Sequence, residues 1–193
     1  MIKDIVLKNR SYRGYDPSIP VPDEDILEMI DCARLSASSR NAQPLKYLIA
    51  NDEETVKTLL GLVKYGRALP ELNLPFPGEE PPAFIVICQD TDIVSGDATF
   101  AKDVGIVAQS ITLAAAEMGY GACMIANYPA EKTRAALGLP ENLPVRLVIS
   151  LGKPKEEIRI EDLEEGGDFK YYRDEEGVHH VPKRRLKDII INR

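Results

Sequence analysis

The cysteines of this 193-residue chain cannot supply a disulfide framework or a zinc site. There are only three, Cys32, Cys88 and Cys123, far apart and odd in number, and no Cys-x-x-Cys pair occurs. Each lies in an apolar stretch and reads as a small buried hydrophobe. The two histidines, His179 and His180, lack a cysteine or carboxylate partner at ligand spacing, so no metal centre is expected, and they are read as hairpin residues. No apolar run approaches the roughly 18 residues that a membrane span needs. Lys3, Asp4 and Lys8 interrupt what would be the apolar core of a signal peptide, so the expected location is the cytoplasm. A basic excess is also missing. The 24 Lys and Arg stand against 31 Asp and Glu, a net charge of −7, which argues against a general nucleic-acid binder. Neither Gly-x-Gly-x-x-Gly nor Gly-x-x-x-x-Gly-Lys-Ser/Thr is found, so the usual dinucleotide and P-loop readings fail. No internal repeat is evident.

What is present suits one domain, residues 1–193, able to bury most of its apolar surface. Ile2, Ile5, Val6 and Asn9 predict a short opening helix that stops near Gly14, followed by a rigid connection at Asp16-Pro17 and Pro20-Val21-Pro22. Asp23 is the expected N-cap of a second helix, with Ile26, Met29, Ile30 and Ala33 on one face. Strands are expected at 45–50, 84–88, 123–125 and 145–151, and further helices at 52–64, 97–118 and 130–137. The run Phe84–Cys88 is continuously apolar, as an interior strand would be. Gly119 and Gly121 should end the long helix. Residues 66–82 hold five prolines and form a loop; loops this long are often functional. Near the C-terminus, 169–173 and 178–181 flank Asp174-Glu175-Glu176-Gly177 and read as a hairpin. This arm has no core of its own and is expected to wrap around a partner subunit.

The positive charge of this acidic chain is gathered near its two ends, in Asn9-Arg10-Ser11-Tyr12-Arg13 and Lys183-Arg184-Arg185. Between them lies Ser38-Ser39-Arg40-Asn41-Ala42-Gln43-Pro44. Guanidinium and hydroxyl groups grip a phosphate through charge-assisted hydrogen bonds. Asn and Gln each offer a donor and an acceptor, which suits the amide edge of a heterocycle. One site with both needs would bind a nucleotide-like cofactor. Each cluster also has a plainer reading: cations at a helix C-terminus, local turn chemistry, or a solubility patch.

These residues, in this order, resemble the nitroreductase family of flavin enzymes. The resemblance rests on Arg-Ser-x-Arg at the start, Ser-Ser-x-Asn-x-Gln-Pro, the closing Lys-x-Arg, and Glu117-Met118-Gly119-Tyr120-Gly121-Ala122-Cys123-Met124-Ile125. It implies an α+β, three-layer nitroreductase-like fold, a central mainly antiparallel sheet flanked by helices, with the C-terminal arm exchanged in a homodimer. It implies FMN as cofactor, with Arg10, Ser11, Arg13, Lys183 and Arg185 on the phosphate. Ser38, Ser39, Asn41 and Gln43 would lie along the phosphate, ribityl chain and ring. Arg40 either adds charge there or points to solvent. Met124, Ile125, Ala126 and Asn127 would face the ring, with a backbone N–H toward its N5. Asn9, Leu45, Ala126 and Asn127 depart from residues common in the family, respectively Arg, Trp, an acid and Gly. By the same resemblance the chain is an NAD(P)H-dependent enzyme reducing nitroaromatics, quinones or similar flat acceptors by a ping-pong route. No side chain is expected to act as acid, base or nucleophile, because the cofactor carries the redox chemistry. A flavin-binding module without turnover and a specialised flavin-family dehalogenase are the alternatives.

Overall fold

The computed structural model describes residues 1–66 and 68–192, apart from the side chains of Pro70 and residues 97–99. Arg67 of the proline-rich loop and Arg193 of the arm lie outside the described residues. The main sheet has five strands: β1 (Tyr15–Asp16), β2 (Leu45–Ala50), β3 (Ala83–Gln89), β4 (Gly121–Ile125) and β5 (Val145–Pro154). β3 pairs with β2 and β5, and β5 also pairs with β4 and, at its far end, with β1; every pairing is antiparallel. The register sets Val86 opposite both Leu48 and Val148.

All seven residues of β3 are buried, because both faces of the sheet are covered. Side chains alternate across a strand. Ala83, Ile85 and Ile87 therefore join one core with Ile26, Met29 and Ala33 of α2 (Asp23–Arg34) and Val107, Ala108, Ile111 and Ala115 of α4 (Asp97–Glu117). Phe84, Val86 and Cys88 join the other core with Leu59 of α3 (Glu53–Leu60) and Val63. Leu137, just beyond α5 (Ala130–Ala136), packs there too. The result is the expected three-layer α+β arrangement, with helices on both faces of an antiparallel sheet.

Several elements depart from the sequence reading. The opening helix α1 (Ile2–Lys8) ends well before Gly14, because Asn9 is extended and Ser11 forms a parallel bridge with Ala122. Asp16, expected in a rigid connection, instead forms a short strand with Tyr15. Asp23 is the first helical residue of α2 rather than its cap; its carboxylate accepts from the Asn51 side-chain amide. Asp52, expected inside a helix over 52–64, caps α3 instead, accepting from the Thr55 N–H at 2.9 Å, and that helix stops at Leu60. Gly119 ends α4 region as expected, with a left-handed φ of +81° that favours glycine.

The tail forms a second sheet. β7 (Tyr172–Arg173) and β8 (His179–Lys183) make the expected hairpin, and β6 (Ile158–Asp162) pairs with β8 in parallel. β6 went unread because Ile-Arg-Ile-Glu-Asp is mostly charged; only Ile158 and Ile160 alternate. A short helix, α6 (Leu186–Ile189), follows. The tail is tied to the main body by a buried ion pair between Glu156 and Arg173. Burial pushes the Glu156 carboxyl up, against the pull of Arg173 and of the Arg13 backbone N–H.

Candidate functional site

A cavity of about 350 Å³ opens where the segment after α1, the outer edge of β4, helix α4 and the tail sheet meet. Arg10, Ser11, Arg13 and Lys183 line it, together with Met124, Thr112, Tyr171 and His179. Three of these carry positive charge and none is an Asp or Glu. The two ends of the chain, 170 residues apart in sequence, thus converge as the basic clusters suggested.

Local structure explains the convergence. After α1 the chain runs beside β4, where the Tyr12 N–H donates to the Ala122 carbonyl at 3.1 Å. The approach is close: a Cβ on Gly121 would sit 2.8 Å from the Tyr12 ring. Arg10 donates from Nη2 to the Val6 carbonyl at 2.7 Å, while its buried Nε has no partner among the described residues. Burial pushes its guanidinium down from the usual range. Arg13 is 7% exposed. Its Nη1 donates to the Ser11 carbonyl at 3.2 Å and to His179 Nε2 at 3.2 Å, and its guanidinium carbon lies 4.8 Å from the Tyr171 ring centroid. Burial first, then Arg13, Arg173 and His180, push the His179 imidazole down to about 4, so it is neutral at pH 7. Lys183 reaches the cavity from the exposed end of β8.

The Asn–Gln loop lies elsewhere in the chain. Ser38 and Gln43 line a second cavity of about 160 Å³ with Tyr47 and Asp103. Asp103, 1% exposed on α4, organises the loop. It accepts from the hydroxyls of Ser38 and Ser39, both at 2.7 Å, and from the Ser39 N–H at 2.9 Å. Burial opposes its charge, but these donors outweigh it and hold its carboxyl below the ordinary value. Arg40, Asn41 and Gln43 take left-handed φ angles of 55°, 53° and 50°. Such non-glycine conformations persist where surrounding structure over-determines them. Arg40 lies 5.7 Å over the Phe100 ring, and Asn41 and Gln43 are exposed.

The structure thus divides the expected site residues. Arg10, Ser11, Arg13, Met124 and Lys183 share one cavity. Arg185 does not line it; Glu164 at 3.7 Å and Asp188 at 3.4 Å hold its guanidinium. Ile125 turns its side chain into the core, at 3% exposure, because it alternates with outward-facing Met124. Ala126 and Asn127 are exposed outside the cavity lining, and the Asn127 carbonyl accepts from the Lys64 N–H. The Ser38 and Ser39 hydroxyls are committed as donors to Asp103, so their side chains offer a ligand only acceptor lone pairs. Asp103, His179 and Tyr171 were missed. For Asp103 one signal existed: an acid one turn before Val107 on an otherwise apolar helix face. Asn9, where the family often has Arg, donates to Thr112 Oγ1 at 2.9 Å.

Comparison with known proteins shows the family. Residues 6–153 match the Nitroreductase family. An Archaeoglobus fulgidus protein provisionally named NADH dehydrogenase/NAD(P)H nitroreductase is 31% identical over 158 residues, spanning 79% of this chain and 85% of its own length. A crystal structure of a similarly named protein from Parabacteroides distasonis superposes with a TM-score of 0.70 at 26% identity, covering 100% of this chain and 98% of that one. A nitroreductase-type protein from Exiguobacterium sibiricum, solved in complex with FMN, has the same fold, with a TM-score of 0.69 at 21% identity over 81% of this chain and 89% of that one. On the family match, the relatives and the fold together, the chain belongs to the nitroreductase family.

Proposed function

We propose that this chain binds FMN noncovalently and uses it to move electrons from NAD(P)H to flat acceptors such as quinones and nitroaromatics. The observation that carries the proposal is the cavity lined by Arg10, Ser11, Arg13 and Lys183, with no carboxylate among its described lining residues. Three cations and a hydroxyl around one space are what a phosphate monoester needs. The Nε of half-buried Arg10, itself buried and without a partner among the described residues, fits the same group, since a buried donor without an acceptor is costly. Met124 on the outward face of β4 would border the ring. Bound FMN would supply hydride acceptance and electron delivery. The residues would bind the phosphate, orient the ring and keep water from it.

The Asn–Gln loop belongs to a different cavity, so one copy of the chain gathers only part of the expected contacts in one place. A second copy would bring Asn41 and Gln43 to the ring. The homodimer reading also draws on apolar surface. α1 has no buried residue and exposes Ile2, Val6 and Leu7, while α6 exposes Leu186 and Ile189. Obligate interfaces bury about 2,000–5,000 Å² and are largely apolar. The exchange of the C-terminal arm belongs to this proposal.

Donor and acceptor would use the same space over the ring, which makes the kinetics ping-pong. The test varies both substrates in steady state with a quinone and a nitroaromatic. Parallel double-reciprocal lines, with each substrate inhibiting the other at high concentration, are expected. Intersecting lines would contradict the shared pocket.

A further inference from the structure

His179 is a poor residue to choose for stability where it stands. It is 2% exposed, and its Nδ1 has no hydrogen-bond partner among the described residues. Arginine only donates, so the 3.2 Å contact from Arg13 Nη1 makes His179 Nε2 the acceptor. The ring proton therefore sits on Nδ1, and it is that N–H which is buried and unpaired. A buried unsatisfied donor is destabilising, and an aliphatic side chain would avoid it. What an aliphatic side chain could not do is accept from Arg13. The Arg13 guanidinium also lies over the Tyr171 ring, and that ring sits 5.1 Å from the His179 ring, so both hold one group from the tail sheet.

We propose that His179 is a positioning residue of the anion site: its neutral imidazole accepts from Arg13 Nη1 and, with Tyr171, fixes the guanidinium against the cavity. Among the described residues, both side-chain hydrogen bonds of Arg13 use Nη1, one to the Ser11 carbonyl and one to His179. A guanidinium fixed at one nitrogen presents its remaining donors in a set direction, because the group is planar and rigid. A neutral acceptor does this without neutralising the charge. A carboxylate in the same place would also hold Arg13, but it would cancel the charge an anion needs. The tail sheet thereby sets the geometry of a residue from the opposite end of the chain. This inference rests on the reading of the cavity as a phosphate site.

The experiment compares His179→Leu and His179→Gln with the wild-type chain, in wild-type and Arg13→Ala backgrounds. It reads FMN and riboflavin affinity by fluorescence quenching, inorganic phosphate as competitor, and thermal stability. His179→Leu should lower FMN affinity by about tenfold or more, the loss of one well-placed charge-assisted contact. Riboflavin affinity and the melting temperature should be nearly unchanged or higher. Gln, which can offer an acceptor oxygen to Arg13, should recover much of the FMN affinity. In the Arg13→Ala background His179→Leu should cost nothing further, as expected when one residue acts through the other. An unchanged FMN-to-riboflavin ratio in a folded His179→Leu chain overturns the positioning role, and so does an undiminished loss in the Arg13→Ala background. If Leu does not fold, the Gln variant decides: a ratio collapsed despite a normal melt overturns the proposal, and a retained ratio supports it. A wild-type chain that binds neither FMN nor phosphate overturns the phosphate site and this inference with it.

Discussion

Replacing Asp103 with Ala should cost roughly 2.5–6 kcal/mol of stability and loosen the Asn–Gln loop. The carboxylate is 1% exposed and accepts from two hydroxyls at 2.7 Å and one backbone N–H at 2.9 Å. A hydrogen bond to a charged group contributes about 1.5–3 kcal/mol net, and a stranded buried donor costs about 1–3 kcal/mol. The three bonds share one acceptor and do not simply add. The two hydroxyls can rotate toward other partners, but the Ser39 N–H cannot. The estimate is therefore one charged bond lost plus one donor stranded. Asn should be milder, at about 1–2 kcal/mol: its oxygen serves Ser38 and the Ser39 N–H, its amide donates to Ser39 Oγ, and only the charge is lost. Urea unfolding at neutral pH measures both, with the midpoint falling at constant slope. The loop also stores left-handed strain at Arg40, Asn41 and Gln43, about 1–3 kcal/mol each at such positions. Without its anchor it should relax, so Asp103→Ala should also weaken FMN binding. An Ala variant as stable as the wild type, or more stable than the Asn variant, would refute this account of the loop.

Two further outcomes follow from the tail and the ends of the chain. The two histidines should give the tail opposite pH dependences. His180 is held by Asp174 at 2.9 Å and Glu161 at 2.5 Å, one carboxylate on each ring nitrogen, and these raise it above 6.5. Its contribution is full below about 6.5 and is lost as pH rises through the raised value. His179, pushed down to about 4, works the other way: the folded state loses stability as pH falls from 6.5 toward that value. Melting temperatures across pH 4–9 should therefore lose part of their acid-side decline in His179→Leu and part of their alkaline decline in His180→Gln; identical profiles for all three chains would contradict the assignments. The dimer is tested by Val6→Glu with Leu7→Glu on α1, whose apolar side chains are exposed in one copy. Light scattering should show a dimer in the wild type and a shift toward monomer with weaker FMN retention in the variant; a wild-type monomer fully loaded with FMN would end the dimer proposal.

The parts of the fold that were legible in the sequence are those fixed by burial. The run Phe84–Cys88 reads as an interior strand because both its faces are covered, and it lies inside the fully buried β3. The periodic faces of α2 and α4 are legible for the same reason. β6 was not, because its pairing with β8 comes from backbone hydrogen bonds 21 residues away rather than from an apolar pattern. The site was legible as far as charge goes. Arg10, Ser11, Arg13 and Lys183 do converge, whereas Arg185, chemically as suitable, is drawn off by Glu164 and Asp188, acids whose proximity depends on the tail's path. Asp103 and His179 were missed for a shared reason. Each acts by holding another residue, so its value appears only when the partner's position is known.

The most direct test of the account is an anaerobic absorbance titration of the purified chain with NADH and with NADPH. The account predicts a yellow protein carrying FMN at close to one per chain, whose visible flavin bands bleach with at least one of the two nucleotides and return on adding a quinone. A colourless chain that also fails to take up added FMN would contradict the cofactor assignment. Bound FMN that stays oxidised with both nucleotides would contradict the enzyme assignment and leave a flavin-binding module in its place.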